Sequence, residues 1–496
     1  MMSPLKLAII GGGPSAFYVA SRILKLQPEA QNLRIHMFDR LWAPHGLVRY
    51  GVAPDHPEVK NCTHKFDQAA SDPRLHFFGN IDVGSTSHSI PHALPLPLAS
   101  IFKNYTHVLF ATGCTLPTLH PDLPQSHTAS PLSTSSIDKV QHVSIIGMGN
   151  VSLDVARMLL TSVNELKKYD VPQRVLGVLA KSTVKHVSII GRRGPLEAAF
   201  TVKELREMIN LPEASMVPLD PSLFVPTPPF SSSEPPHALT RQQSRVLQLL
   251  ERGSKHPFGS TPKTWSLDFF RSPIGLVPPS PSSQAQLSLA HTTLDPQTSR
   301  AVPTGLTSTL STDLVITSLG FHGEPTLAFY DPGLRHLRTV RGRVVSSTGV
   351  ALKRVYASGW AATGAKGVLA STMMNAYTDW KEEEEEKNAE FSSESESALD
   401  LETPETEAQA QKDTQFHSLP PLAQARHYTF FPSALDAPPK EIQEVLKAGP
   451  GVEKKVTTYG DWREVDKEEV RRGEMLGKER ERMGWVDARA FLEGRT

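Results

Sequence analysis

Cysteine is nearly absent from this chain: Cys62 and Cys114 are the only two among 496 residues, they stand far apart, and they form no CxxC pair. That excludes a disulfide framework, a cysteine-built zinc site and a redox dithiol. An excess of one charge is missing too, since 52 Lys and Arg are balanced by 52 Asp and Glu. A neutral chain offers no global attraction to nucleic acid, so any electrostatic partner must be met locally. No apolar run approaches the roughly 20 residues that span a bilayer. The opening Met1 to Lys6 leads straight into an apolar strand, so no signal or transit peptide is expected. No metal-ligating cluster is legible, and no nucleophile stands beside its base. The length suffices for two or three domains with ample core.

What the chain does have is a strand, a glycine turn and a helix, written twice. The first copy is Leu7 to Ile10, then Gly11-Gly12-Gly13-Pro14-Ser15-Ala16, then a helix to about Leu26. The second is Val143 to Ile146, then Gly147-Met148-Gly149-Asn150, then a helix from Val151 to Leu166. Glycine lets backbone turn tightly at the end of a buried strand and approach a pyrophosphate, while the unpaired N–H groups of the following helix face the anion. A glycine turn alone is common and can bind nothing. The first copy gains weight from Asp39, which closes the next strand where a ribose-binding carboxylate stands, roughly 20 residues on. After the second copy, the strand His186 to Ile190 ends instead in Gly191-Arg192-Arg193-Gly194. Two guanidiniums suit a ribose 2′-phosphate, which points to NADP rather than NAD; the alternative is a solvated arginine turn.

Between and beyond these copies the text is less regular. Trp42 to Asn61 holds too much Gly and Pro for a helix and reads as a loop. Residues 114–139 and 218–236 are irregular, the latter rich in Pro and Ser. Thr201 to Ile209 reads as a helix whose Glu204 and Arg206 form a solvated face. A further helix from Leu239 to Glu251 sets Arg241 and Arg245 one turn apart, and their spacing alone reads as ordinary exposed charge. Thr312 to Phe321 is an apolar strand ending in glycine that returns the chain to its first domain. Thr363 to Val368 opens a helix to about Tyr377, and a helix N-terminus aimed at an anionic ligand group gives a reason for glycine at 367. The acidic tract from Lys381 to about Phe416 has too little apolar surface to fold.

Longer motifs carry a resemblance. PHGLVRYGVAPDHPEVKN (44–61), GMGNVSLDVARMLL (147–160), GRRGPLEAAFTVKELREM (191–208), FFRSP (269–273) and SGWAATGAKGV (358–368) resemble the adrenodoxin reductase family of mitochondrial-type ferredoxin:NADP reductases, which carry FAD. The resemblance implies an α/β fold of two Rossmann-like dinucleotide-binding domains, the NADP domain inserted into a discontinuous FAD domain. The expected divisions are 1–113 and 322–380 for the FAD domain, 114–321 for the NADP domain, 381–438 for a disordered acidic insertion, and 439–496 for a helical tail.

By resemblance FAD is lined by Ser15, Asp39, Leu47, Val83, Trp360, Gly367, Val368 and Leu369. NADPH is lined by Gly149, Asn150, Val151, Arg192, Arg193, Glu204 and Gly367. His56 and Asp154 match positions on a proton route near the flavin, although a histidine in a Pro-flanked loop is equally a satisfied turn residue. Arg241 and Arg245 would dock an acidic [2Fe–2S] ferredoxin, and the place implied is the matrix side of the inner mitochondrial membrane. The implied activity passes a hydride from NADPH to FAD and single electrons to the ferredoxin for haem, steroid or iron–sulfur synthesis.

Two departures stand out. Ala365-Lys366 replace a Pro-Thr pair, and the stretch after Gly113 is short, without the family's Ile-Pro-Gly-Glu turn and Trp-Tyr-Asn run. The shortening opens the alternative of a nucleotide-binding protein that no longer turns over. A flavoprotein feeding a glutamate synthase would share both glycine turns but bring a cysteine-rich N-terminal segment, absent here.

Overall fold

The computed structural model describes residues 4–28, 30–84, 90–123, 137–224, 239–279, 284–327, 329–367, 369, 372–374, 435–447 and 456–494. The acidic tract expected to be disordered lies outside them up to residue 434, as do Val368 and the end of the helix expected to reach Tyr377. The chain divides into two compact units. The first holds Met1–Leu116, Phe321–Arg471 and Met483–Thr496; the second holds Pro117–Gly320 and Arg472–Arg482.

The first unit is built on an eight-stranded sheet. In spatial order its strands are Thr339–Val340, Arg343–Val345, Ala351–Ala357, His107–Phe110, Leu5–Ile10, Leu33–Asp39, Leu75–Gly79 and Thr457–Thr458. The five strands from Ala351–Ala357 to Leu75–Gly79 run parallel. Parallel strands are covered on both faces, and the sequences LKLAII and LRIHMFD are correspondingly apolar at most positions. Leu7 and Ile9 point into one core with Phe17 and Ile23, while Ala8 and Ile10 point into the other with Phe38, Tyr105 and Phe110. Helix α1 (Pro14–Leu26) starts with proline in its first turn, where the missing N–H costs nothing.

The second unit has a five-stranded, wholly parallel sheet ordered Ala214–Met216, Lys263–Asp268, His186–Ile190, His142–Ile146, Leu314–Thr317. A separate antiparallel sheet joins Arg271–Val277, Ala285–Leu294 and Ala301–Thr312. Three helices matter for the site: α2 (Asn150–Leu160), α3 (Val202–Ile209) and α4 (Arg241–Arg252).

The helix expected from Val151 to Leu166 is shorter than its apolar spacing suggested. Thr161 takes up extended backbone with its N–H on the Arg157 carbonyl, and a separate turn Val163–Leu166 follows. A β-branched Thr followed by Ser, whose hydroxyl competes for backbone groups, ends a helix where a purely apolar reading runs on. The loop expected over Trp42 to Asn61 contains one helical turn, Leu47–Tyr50, and a 3-10 turn, Pro57–Cys62.

Candidate functional site: two dinucleotide cradles

In the first unit the chain leaves strand Leu5–Ile10 through Gly11 at φ +107°, where a Cβ would lie 2.3 Å from the Ala111 carbonyl oxygen. Only glycine fits that approach. The next turn is held by Asp39, whose Oδ2 accepts the Gly12 N–H at 2.7 Å and whose Oδ1 accepts the Leu41 N–H at 2.8 Å. Burial lifts the Asp39 pKa to about 6, against the pull of those two N–H groups. Helix α1 begins at Gly13 with no side-chain cap, which leaves its first N–H groups for an anion. Among the described residues Ser15 Oγ and Ser358 Oγ are buried without a partner, and the missing Cβ of Gly359 would fall 2.8 Å from Ser15 Oγ. A buried hydroxyl without a partner costs about 1–3 kcal/mol, so these orphaned atoms fit a polar ligand that completes them. The donor set and the close-packed glycines therefore suit a dinucleotide pyrophosphate.

The loop after Asp39 is tied to this turn by residues that sequence reading passed over. His45, at φ +80°, donates its N–H to the Gly12 carbonyl at 2.7 Å, and its Nε2 meets Tyr459 Oη at 2.9 Å. Tyr459 in turn donates to Asp67 Oδ1 at 2.8 Å. Arg49 makes a two-pronged bond to Glu469, Nη1 to Oε2 at 2.9 Å and Nη2 to Oε1 at 2.7 Å, both side chains buried, with its guanidinium over the Trp462 ring. Nothing in the local text links residue 49 to 469. The one signal was an acidic helix, Tyr459–Met475, in which Glu469 falls among apolar positions.

Of the remaining residues proposed for FAD, Leu47 is exposed at the start of its helical turn and Val83 is buried in the core. Trp360 donates its indole N–H to the Lys366 carbonyl at 2.9 Å, and Gly367 sits at φ +79°. Leu369 packs against the core beneath α1. His56 is buried at the head of the 3-10 turn, its carbonyl accepting the Val59 N–H at 3.2 Å.

The second unit repeats the turn. Gly147 stands at φ +134°, with a Cβ position 2.1 Å from the Ser318 carbonyl oxygen, and α2 starts at Gly149, again without a side-chain cap. Val151 is exposed in the first turn of α2. Arg192 and Arg193 are exposed at the end of strand His186–Ile190, and among the described residues neither has an acidic partner. Their backbone is pinned from the neighbouring sheet: Thr292 Oγ1 donates to the Arg192 carbonyl at 2.8 Å, and the Phe270 N–H donates to that of Arg193 at 3.3 Å. Two guanidiniums on a pinned backbone, without a carboxylate partner among the described residues, suit a phosphate dianion.

Asn150, Asp154 and Glu204 are engaged inside the unit. Asn150 Oδ1 accepts the Thr201 N–H at 2.8 Å. Arg157 pairs with Asp154 at 2.7 Å, Glu204 at 3.1 Å and Glu207 at 3.2 Å. Glu204 is thus no part of a solvated face. Arg206 is exposed, and with Arg245 and Arg252 it lines a cleft of about 610 Å³ over Val202 and Leu249. Arg241 lies outside that cleft, at the start of α4.

Two glycine turns, each leaving a parallel strand of its own sheet, one followed by an acid and one by paired arginines, define a protein that binds two unlike dinucleotides. The comparisons narrow that class. No family model matches the chain. The bovine (Bos taurus) NADPH:adrenodoxin oxidoreductase, mitochondrial, is 36% identical over 397 residues, covering 75% of this chain and 77% of that protein. The human (Homo sapiens) protein of the same name is 33% identical over 511 residues, covering 98% and 91%. Among solved structures, Mycobacterium tuberculosis FprA in complex with NADPH superposes with a TM-score of 0.74 at 25% identity over 99% of both chains. The chain belongs to the NADPH:adrenodoxin oxidoreductase family.

Proposed function

We propose that this protein is an FAD-dependent NADPH:ferredoxin oxidoreductase, with FAD on the first glycine turn and NADPH on the second. The observation that carries it is the pair Arg192-Arg193, without an acidic partner among the described residues, after a second uncapped glycine turn. Held by these residues, FAD would supply two-electron hydride acceptance from NADPH and one-electron donation to two oxidised ferredoxins. The chain's own task is to bind, orient and exclude water. The Gly12–Ser15 turn holds the FAD pyrophosphate, Asp39 meets its ribose, and Leu47, Val83, Trp360 and Gly367 to Leu369 border the rest. Gly149 to Val151 hold the NADPH pyrophosphate, with Gly367 and Glu204 beside the dinucleotide. His56 and Asp154 serve the proton route. Arg241 and Arg245 receive an acidic [2Fe–2S] ferredoxin, and Arg206 and Arg252 add to the same positive field.

The relatives are named as mitochondrial, and we place this protein in the mitochondrion, on the matrix side of the inner membrane. Among the described residues no helix is long and apolar enough to cross a membrane. The domain divisions expected from the text, with residues 381–438 as an insertion within the FAD domain, are kept as part of this reading except for Arg472–Arg482, which cluster with the second unit. A binding protein without turnover is disfavoured, because both glycine turns and the loop to Asn61 are complete despite the short stretch after Gly113.

An anaerobic titration of the purified protein, following the visible flavin band, tests the reading. NADPH should bleach the band at far lower concentration than NADH, and Arg192→Ala/Arg193→Ala should reduce that preference about tenfold or more, as loss of charge-assisted phosphate contacts does. A colourless protein, or a yellow one that NADPH cannot bleach, overturns it.

A further inference from the structure

The second cradle must hold a polyanion, yet three carboxylates stand close to its helix. Asp154 lies on α2 itself, and Glu204 and Glu207 lie on α3. All three converge on Arg157, whose side chain is 4% exposed, while theirs are 24%, 12% and 31% exposed. Lys203 stands 3.9 Å from Glu207 and shares that carboxylate at the rim. The three acids and Arg157 together carry a formal charge of −2. A helix rises about 1.5 Å per residue, so Asp154 and Arg157 lie roughly 6 and 10 Å along the axis from the uncapped first turn at Asn150. That distance is about one Debye length at physiological salt, and much of the intervening space is protein rather than water, so the carboxylates and a bound phosphate feel each other.

We propose that Arg157 is a positioning residue for the NADPH site, acting as the counter-charge that lets this acidic cluster coexist with a dinucleotide at the head of α2. It acts through its neighbours, and touches no phosphate itself. The inference rests on the placement of NADPH at the second glycine turn.

The test measures NADPH binding to the flavin-loaded protein by difference absorption at low and at high salt, with melting temperature and flavin content recorded for each variant. Arg157→Met takes the cluster from −2 to −3 and should weaken NADPH about tenfold at low salt, with a smaller loss at high salt. Arg157→Met/Glu207→Gln returns the charge to −2 and should recover most of that loss. Arg157→Lys should stay within about threefold of the native protein, since it keeps the charge and loses only the fork. Should Arg157→Met fail to fold, Glu207→Gln alone decides: Arg157 keeps Asp154 and Glu204, the charge falls to −1, and NADPH should bind more tightly than in the native protein.

A purely structural role for Arg157 would lower the melting temperature without a charge-dependent or salt-dependent change in NADPH affinity. That pattern, or an equal loss in Arg157→Met and its Glu207→Gln double variant, overturns the proposal. A native protein that fails to bind NADPH overturns instead the function proposed above.

Discussion

Single residues separate the two cradles experimentally. Gly11→Ala and Gly147→Ala each force a Cβ to within 2.3 Å and 2.1 Å of a carbonyl oxygen, in backbone that side chains rarely adopt. Gly11→Ala should yield protein that loses its yellow colour on gel filtration. Gly147→Ala should stay yellow and lose NADPH-driven bleaching; a Gly147→Ala protein that bleaches normally would contradict the second cradle. Acid sensitivity belongs to the same scale. His186, on the second sheet, is held down to about 4, first by burial and then by the neighbouring His142, from an ordinary value of 6.5. The unfolded chain therefore takes up this proton before the folded one does. The stability His186 gives is intact above pH 6.5 and is lost as pH falls toward 4. His186→Asn should shrink the drop in melting temperature between pH 7 and pH 4.5.

Elements were legible in proportion to how local their causes are. The two strand–turn–helix units could be read because a buried strand, a glycine and a helix follow one another within twenty residues. The arginine turn was legible because no acid stands at the end of its strand, where the first copy has Asp39. Helix α4 begins two residues later than its apolar spacing suggested, at a capping box in which the Thr240 hydroxyl accepts the Gln243 N–H at 3.2 Å and Gln243 Oε1 accepts that of Thr240 at 3.0 Å. Thr240→Ala should cost about 1 kcal/mol of local stability. Hydrogen exchange should show the first turn of α4, which carries Arg241, opening faster while Leu250 amide protection is kept. What stayed hidden depends on side chains distant in sequence. Asp154 was expected on a proton route and Glu204 on a solvated face or at the NADP site, and only the fold shows that Arg157 gathers them.

At the scale of the whole molecule, the first unit is completed by residues near the end of the chain. Strand Thr457–Thr458 closes the sheet beside Leu75–Gly79, Tyr459 reaches His45, and Glu469 neutralises Arg49. Glu469→Gln removes the charge partner of a buried guanidinium, a change that typically costs about 3–5 kcal/mol. The variant should retain less flavin through gel filtration, with the melting temperature of the first unit falling more than that of the second.

The division between the units falls at 116/117, 320/321, 471/472 and 482/483. The stretch Arg472–Arg482, which brings Lys478 to the Val171 carbonyl at 2.6 Å and Arg482 to Asp170, belongs to the second unit although the residues on either side belong to the first. A ribosome finishes residues 117–320 long before it reaches that stretch, so neither unit is complete during synthesis until residues 472–482 and 483–494 have been made. Truncation ahead of residue 457 would therefore damage both nucleotide-binding units together, and a library of recombinants that exchanges residues 117–320 as one cassette would have to carry 472–482 with it.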